Sequence, residues 1–103
     1  MSRIEKLKSF LAETPDDSFV QHALALEYIK LNNDAEAEKL FIHLLSNDPG
    51  YVGSYYHLAK LLERKGMDDE AVTWYEKGMQ EAKKAGNRHA YNELQSALDE
   101  LQF

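Results

Sequence analysis

Apolar residues recur along this chain at spacings of three and four, the period of helices that bury one face. From Ser18 to Leu31 they fall at Val20, Leu24, Tyr28 and Leu31. Asp16 and Asp17 come just before, placed to accept the free N–H groups of a first turn. Asn32 and Asn33 interrupt the pattern, and Asp34 is the expected cap of a second helix carrying Ala37, Leu40, Phe41, Leu44 and Leu45. That helix should end at Asn47-Asp48-Pro49-Gly50, since proline restricts the residue before it and glycine permits positive φ. A third helix is expected from Val52 to Lys65, with Tyr55, Leu58, Ala59 and Leu62 inward and Gly66 as its stop. Asp68 is the expected cap of the next, which runs through Ala71, Trp74, Tyr75 and Met79 to Lys84. Gly86-Asn87 breaks the chain before a last helix from Arg88 to Leu101, with Tyr91, Leu94, Leu98 and Leu101 on one face. With one more helix in the first fifteen residues, the pattern predicts six helices and no strand, an all-α fold.

The pattern repeats. A displacement of 34 residues carries Leu24 onto Leu58, Ala25 onto Ala59, Asp34 onto Asp68, Glu36 onto Glu70, Ala37 onto Ala71 and Phe41 onto Tyr75. The same step carries Pro15 onto Pro49, Leu7 onto Phe41 and Leu11 onto Leu45, so residues 1–15 read as the second half of an earlier unit. Residues 18–51 and 52–85 then form two complete units, and 87–102 a capping helix, within one domain spanning 1–103. Lys83 stands where a third proline would fall, in keeping with a longer helix there. Terminal units of helical arrays are expected to be atypical, because they cover an otherwise exposed apolar face.

Period, paired helices and residue types together resemble the tetratricopeptide repeat. That family places a bulky apolar residue and then a small one in its first helix, as in Leu24-Ala25 and Leu58-Ala59. Its second helix has Ala and, four residues on, an aromatic, as in Ala37 with Phe41 and Ala71 with Tyr75. The small residues let helix backbones approach while the aromatics fill the space beside them; Gly78 also lies at a position that favours small side chains and should accept Ala better than Leu.

The resemblance implies a right-handed superhelix of antiparallel helix pairs whose concave groove binds a peptide or protein segment. Carried over by position, the groove residues are Phe19, His22, Leu26, Ile29 and Lys30 in the first unit. In the second they are Gly53, Tyr56, His57, Lys60, Glu63 and Arg64. Phe19, Leu26 and Ile29 would make an apolar patch on a nominally exposed face unless they pack on the N-terminal helix. Members that bind chaperone tails hold a C-terminal carboxylate with Lys, Asn and Arg; here His22, Leu26, Gly53 and His57 occupy those places, which argues against that mode. Lys60 and Arg64, one turn apart, are placed to attract an acidic group, against the influence of Glu63.

Composition narrows the rest. The 103 residues are 44% apolar and 29% charged, as in ordinary globular chains. The net charge of −6 is poorly suited to phosphate backbones, so no nucleic-acid partner is expected, and Lys83, Lys84 and Arg88 are read as the decoration of a helix end. Without cysteine there is no disulfide framework, thiolate metal site or cysteine nucleophile. The N-terminal residues lack the apolar run of a signal peptide, and no stretch approaches a membrane span, so a cytoplasmic protein without membrane contact is expected.

None of His22, His43, His57 and His89 lies four residues from another, as a helical metal pair requires. His22 with His57, from adjacent first helices, is the one arguable pair, and it lacks a carboxylate. Asp16-Asp17 and Asp68-Asp69-Glu70 stand at helix starts, where the helix dipole favours negative charge. No catalysis, metal or cofactor is expected. The function expected is non-catalytic binding of an unidentified protein or peptide, with self-association through the end helices into a homodimer as the alternative. Under that alternative Phe103 and part of the last helix would face outward, whereas a helix with Leu94, Leu98 and Leu101 all turned inward would be a cap.

Overall fold

A computed structural model describes residues 2–103, and among them lie six α-helices and no strand. They are α1 Arg3–Glu13, α2 Ser18–Lys30, α3 Asp34–Asn47, α4 Gly53–Arg64, α5 Asp68–Lys84 and α6 Arg88–Gln102. The chain forms two compact units, one ending at Asp48 and the other beginning at Pro49. In the first, α2 packs on both α1 and α3; in the second, α5 packs on both α4 and α6, and α6 also meets α4.

The caps depart from expectation by one residue. Asp17 caps α2 as read from the sequence, its Oδ1 accepting from the Val20 N–H at 3.0 Å. Asn33, not Asp34, caps α3: its Oδ1 accepts from the Glu36 N–H at 3.3 Å, and Asp34 is already inside the helix. Met67 stands at the start of α5 with no side-chain cap, and Asp68 is likewise the first helical residue. The acidic first turns of α3 and α5 therefore act through the helix dipole.

Helix ends follow two patterns. At α2, α4 and α5 the chain turns through a left-handed residue: Asn32 at φ 59°, Gly66 at φ 78° and Gly86 at φ 68°. In each case two reversed bonds close the end, such as Met67 N–H to Leu62 O and Gly66 N–H to Glu63 O, both 2.9 Å. At α1 and α3 the residue after the helix leaves the helical conformation, Thr14 at ψ 74° and Asp48 at ψ 71°, because a proline follows. After each proline a buried side chain from the next helix returns to its carbonyl. Gln21 Nε2 donates to Pro15 O at 2.7 Å, and 34 residues later the Tyr55 hydroxyl donates to Pro49 O at 2.6 Å.

The core of the first unit includes Leu7, Ala23 and Leu24, with Ile4, Leu11, Val20, Tyr28 and Leu40 against them. Ala25, Ala37, Ala59 and Ala71 are fully buried, as are Phe41, Leu58 and Tyr75, in keeping with the small-and-aromatic pattern. Gly78 has less room than its position suggested. A Cβ there would lie 2.6 Å from Tyr55 Cβ and 2.9 Å from Leu94 Cδ1, so even alanine is excluded without a shift of α4 or α6.

Candidate functional site

In the first unit the face in question is carried by α2. Its spacing of three and four sets Phe19, His22, Leu26 and Ile29 on one stripe. Phe19 is 68% exposed, whereas Leu26 and Ile29 are half-buried. The α2 residues in the cluster with Ile4, Leu7 and Leu11 of α1 are Val20, Ala23, Leu24 and Tyr28, a different stripe of the same helix. His22 sets its ring edge-on to Phe41, centroids 5.8 Å apart, which fixes it through the core of the pair α2–α3. Lys30 is exposed and shares Glu27 with Arg3: Lys30 Nζ lies 3.4 Å and Arg3 Nε 2.7 Å from Glu27 Oε1.

In the second unit α4 presents Tyr56, His57, Lys60, Glu63 and Arg64. Tyr56 and His57 meet edge-to-face with centroids 5.6 Å apart. Lys60 Nζ lies over the Tyr56 ring at 5.6 Å from its centroid and 3.6 Å from Glu63 Oε2. The Tyr75 hydroxyl also donates to Glu63 Oε2. Glu63 is thus the hub that engages Lys60, so this lysine is already matched to a carboxylate of its own helix. Burial pushes the Tyr75 hydroxyl well above the usual phenol range, and its bond to Glu63 and the Glu100 charge push the same way. His57 is held below the ordinary histidine value, first by burial and then by Arg64, against the opposing pull of Glu93. His22 and His57 belong to different units, and each engages an aromatic ring within its own.

Glu93 and Glu100 were not foreseen as part of this face. They come from α6, read from the sequence only as a cap. A signal was present at a displacement of 36 rather than 34, which carries Tyr55, Leu58, Leu61 and Leu62 onto Tyr91, Leu94, Ala97 and Leu98. At that register Glu93 takes the place of His57 and Glu100 that of Arg64. The register changes because α5, with 17 residues, outruns α3, with 14. Leu94 and Leu98 are buried and Leu101 is half-buried, while Phe103 beyond them is 98% exposed.

Comparison with known proteins places this architecture. The sequence profile described as the tetratricopeptide repeat matches residues 20–51 and 52–84. A crystal structure of a tetratricopeptide repeat domain protein from Salinibacter ruber is 41% identical, with a TM-score of 0.81 over 84% of this chain and 96% of that one. A solution structure of such a protein from the same organism agrees equally well, covering 88% of its own chain. A protein from Bordetella parapertussis is similar at 25% identity, with a TM-score of 0.84 over 99% of this chain and 89% of that one. No curated protein matches.

Proposed function

The chain belongs to the tetratricopeptide repeat family, a family of protein-interaction modules, and from that premise we propose that its first-helix faces form a groove for a peptide or protein segment. The observation that carries the reading is Phe19. A phenylalanine 68% exposed, on the stripe that also holds Leu26 and Ile29, costs solubility unless a partner covers it. Tyr56 is the second anchor, an aromatic ring of the kind that dominates binding energy at interfaces. Its half-buried ring is rigidified by His57 and Lys60. The groove residues are Phe19, His22, Leu26, Ile29, Lys30, Tyr56, His57, Lys60 and Arg64, joined by Glu93 and Glu100.

Because Lys60 is engaged by Glu63, the face offers no strong cationic clamp, and apolar and aromatic anchors supply the affinity. Selection of a displayed peptide library on the wild-type protein tests this. Peptides so obtained should lose roughly tenfold or more in affinity for Phe19→Ala and for Tyr56→Ala, a loss of about 1.4 kcal/mol or more. Peptides that bind both variants unchanged would place the binding surface elsewhere.

A second reading, self-association through an end helix, is favoured by one residue. Phe10 is 57% exposed although its equivalent 34 residues on, Leu44, is 1% exposed. An α1–α1 contact between two copies would cover it. At α6, by contrast, Gln95 stands at the place of Ala59 in the 36-residue register, where a following helix would need a small residue to approach. Light scattering from micromolar to hundred-micromolar protein separates the cases: a dimer abolished by Phe10→Glu supports this reading, and a constant monomer mass removes it.

A further inference from the structure

The turn between α5 and α6 breaks the closing device that the other repeats share. Gln21 and Tyr55 each hand a hydrogen bond to the carbonyl of a closing proline. Tyr91 stands in the same place in α6, but Lys83 occupies the proline position and α5 runs on to Lys84 before Gly86 turns the chain. Tyr55 is buried; Tyr91 is half-exposed, and its hydroxyl has no hydrogen-bond partner among the described residues.

At this turn lies a cavity of about 350 Å³ lined by Ala82, Lys83, Gly86, Asn87, Arg88, Tyr91 and Asn92. Lys83 and Arg88 form no ion pair with any described residue, although the adjacent Lys84 lies 3.2 Å from Glu81. Asn87 caps α6 itself, its Oδ1 accepting from the Ala90 N–H at 3.0 Å. In a chain of net charge −6, two uncompensated cations and a phenol without a hydrogen-bond partner line one concavity.

We propose that this cavity is a binding site for a phosphate monoester, gripped by Lys83 and Arg88 with the Tyr91 hydroxyl as neutral donor. Two cations match the charge of roughly −1.5 to −2 that a phosphate monoester carries at pH 7. A single carboxylate would leave one of them uncompensated. The guanidinium of Arg88 suits bidentate contact with a phosphate, and the lysine serves as a mobile point charge. Glu81 is occupied by Lys84 and does not neutralise the pair. The site is separate from the proposed peptide groove and stands or falls without it.

Titration with phosphoserine at constant ionic strength, followed by amide NMR shifts, is the test. The expected result is a saturable shift confined to residues around 82–92, lost in the Lys83→Gln/Arg88→Gln double variant. Both substituted residues are exposed, so that variant should keep the wild-type circular dichroism spectrum and melting temperature. Tyr91→Phe should weaken binding roughly tenfold, the scale of one hydrogen bond to a charged group. Shifts that never saturate, that persist in the double variant, or that N-acetylglutamate reproduces at the same concentration would overturn the assignment.

Discussion

At residue 78 the packing of α5 depends on there being no side chain at all. The nearest obstacle to a methyl group is Tyr55 Cβ, which is fixed to the backbone of α4 and cannot swing aside. Gly78→Ala should therefore destabilise by about 1–3 kcal/mol in urea unfolding, although alanine is the better helix former. A variant as stable as the wild type would mean that α4 and α5 separate at no cost. Ala59→Leu should lose a similar ~1–3 kcal/mol, since Ala59 is fully buried. The need for small residues was legible in the sequence as the Leu24-Ala25 and Leu58-Ala59 pairs, whereas the severity at Gly78 was not, because Tyr55 and Leu94 meet it only in three dimensions. The part played by Gln21 was equally hidden: a polar residue in an apolar stripe reveals its partner, the Pro15 carbonyl, only once the turn is folded. His57 adds a pH dependence. Its depressed pKa means that the folded chain resists the proton that the unfolded chain accepts near 6.5. Stability is therefore full above 6.5 and falls as the pH drops through the folded value, and His57→Gln should flatten that fall in melts recorded between pH 7 and 4.

Elements in this chain are set as much by their ends as by their faces. Asn32, Gly66 and Gly86 share one left-handed conformation, and around Gly66 a Cβ would meet nothing within 4 Å. The cost of Gly66→Ala is therefore purely conformational, about 1–2 kcal/mol. Asn32→Gly, the reciprocal change, should be neutral or mildly stabilising, and chemical denaturation of the pair checks both signs together. If Gly66→Ala were harmless, the ends of α4 and α2 would not share the motif their hydrogen bonds describe. Helix existence and order were readable from periodicity, because each apolar stripe is long and bounded by Pro, Gly or Asn. Caps were less so: Asp34 and Asp68 look like caps in sequence, but the closing turn consumes one residue more, which leaves Asn33 and Met67 at those places. The register of α6 was illegible at a period of 34, since the longer α5 moves every later position by two.

On the scale of the whole molecule, α6 decides whether the second unit can exist. It supplies Leu94, Ala97 and Leu98 to the core and, together with Tyr55 of α4, closes over Gly78. Burying each leucine contributes about 1.5–3 kcal/mol, so two of them contribute roughly 3–6 kcal/mol. Total stability for a domain of this length is only about 5–15 kcal/mol. Truncation at Gly86 should therefore leave the second unit largely unfolded at room temperature, seen as loss of dispersed amide signals from α4 and α5. Leu94→Ala, a milder insult of about 2–5 kcal/mol, should keep the fold while lowering the melting temperature. The two variants separate a structural closure from a dispensable appendage: if the truncated chain kept its α4 and α5 signals, α6 would be free to leave, and the place of Glu93 and Glu100 in the proposed groove would be optional. If both variants behave as expected, α6 is a fixed part of the second unit, and Glu93 and Glu100 are held where their charges act on His57 and Tyr75.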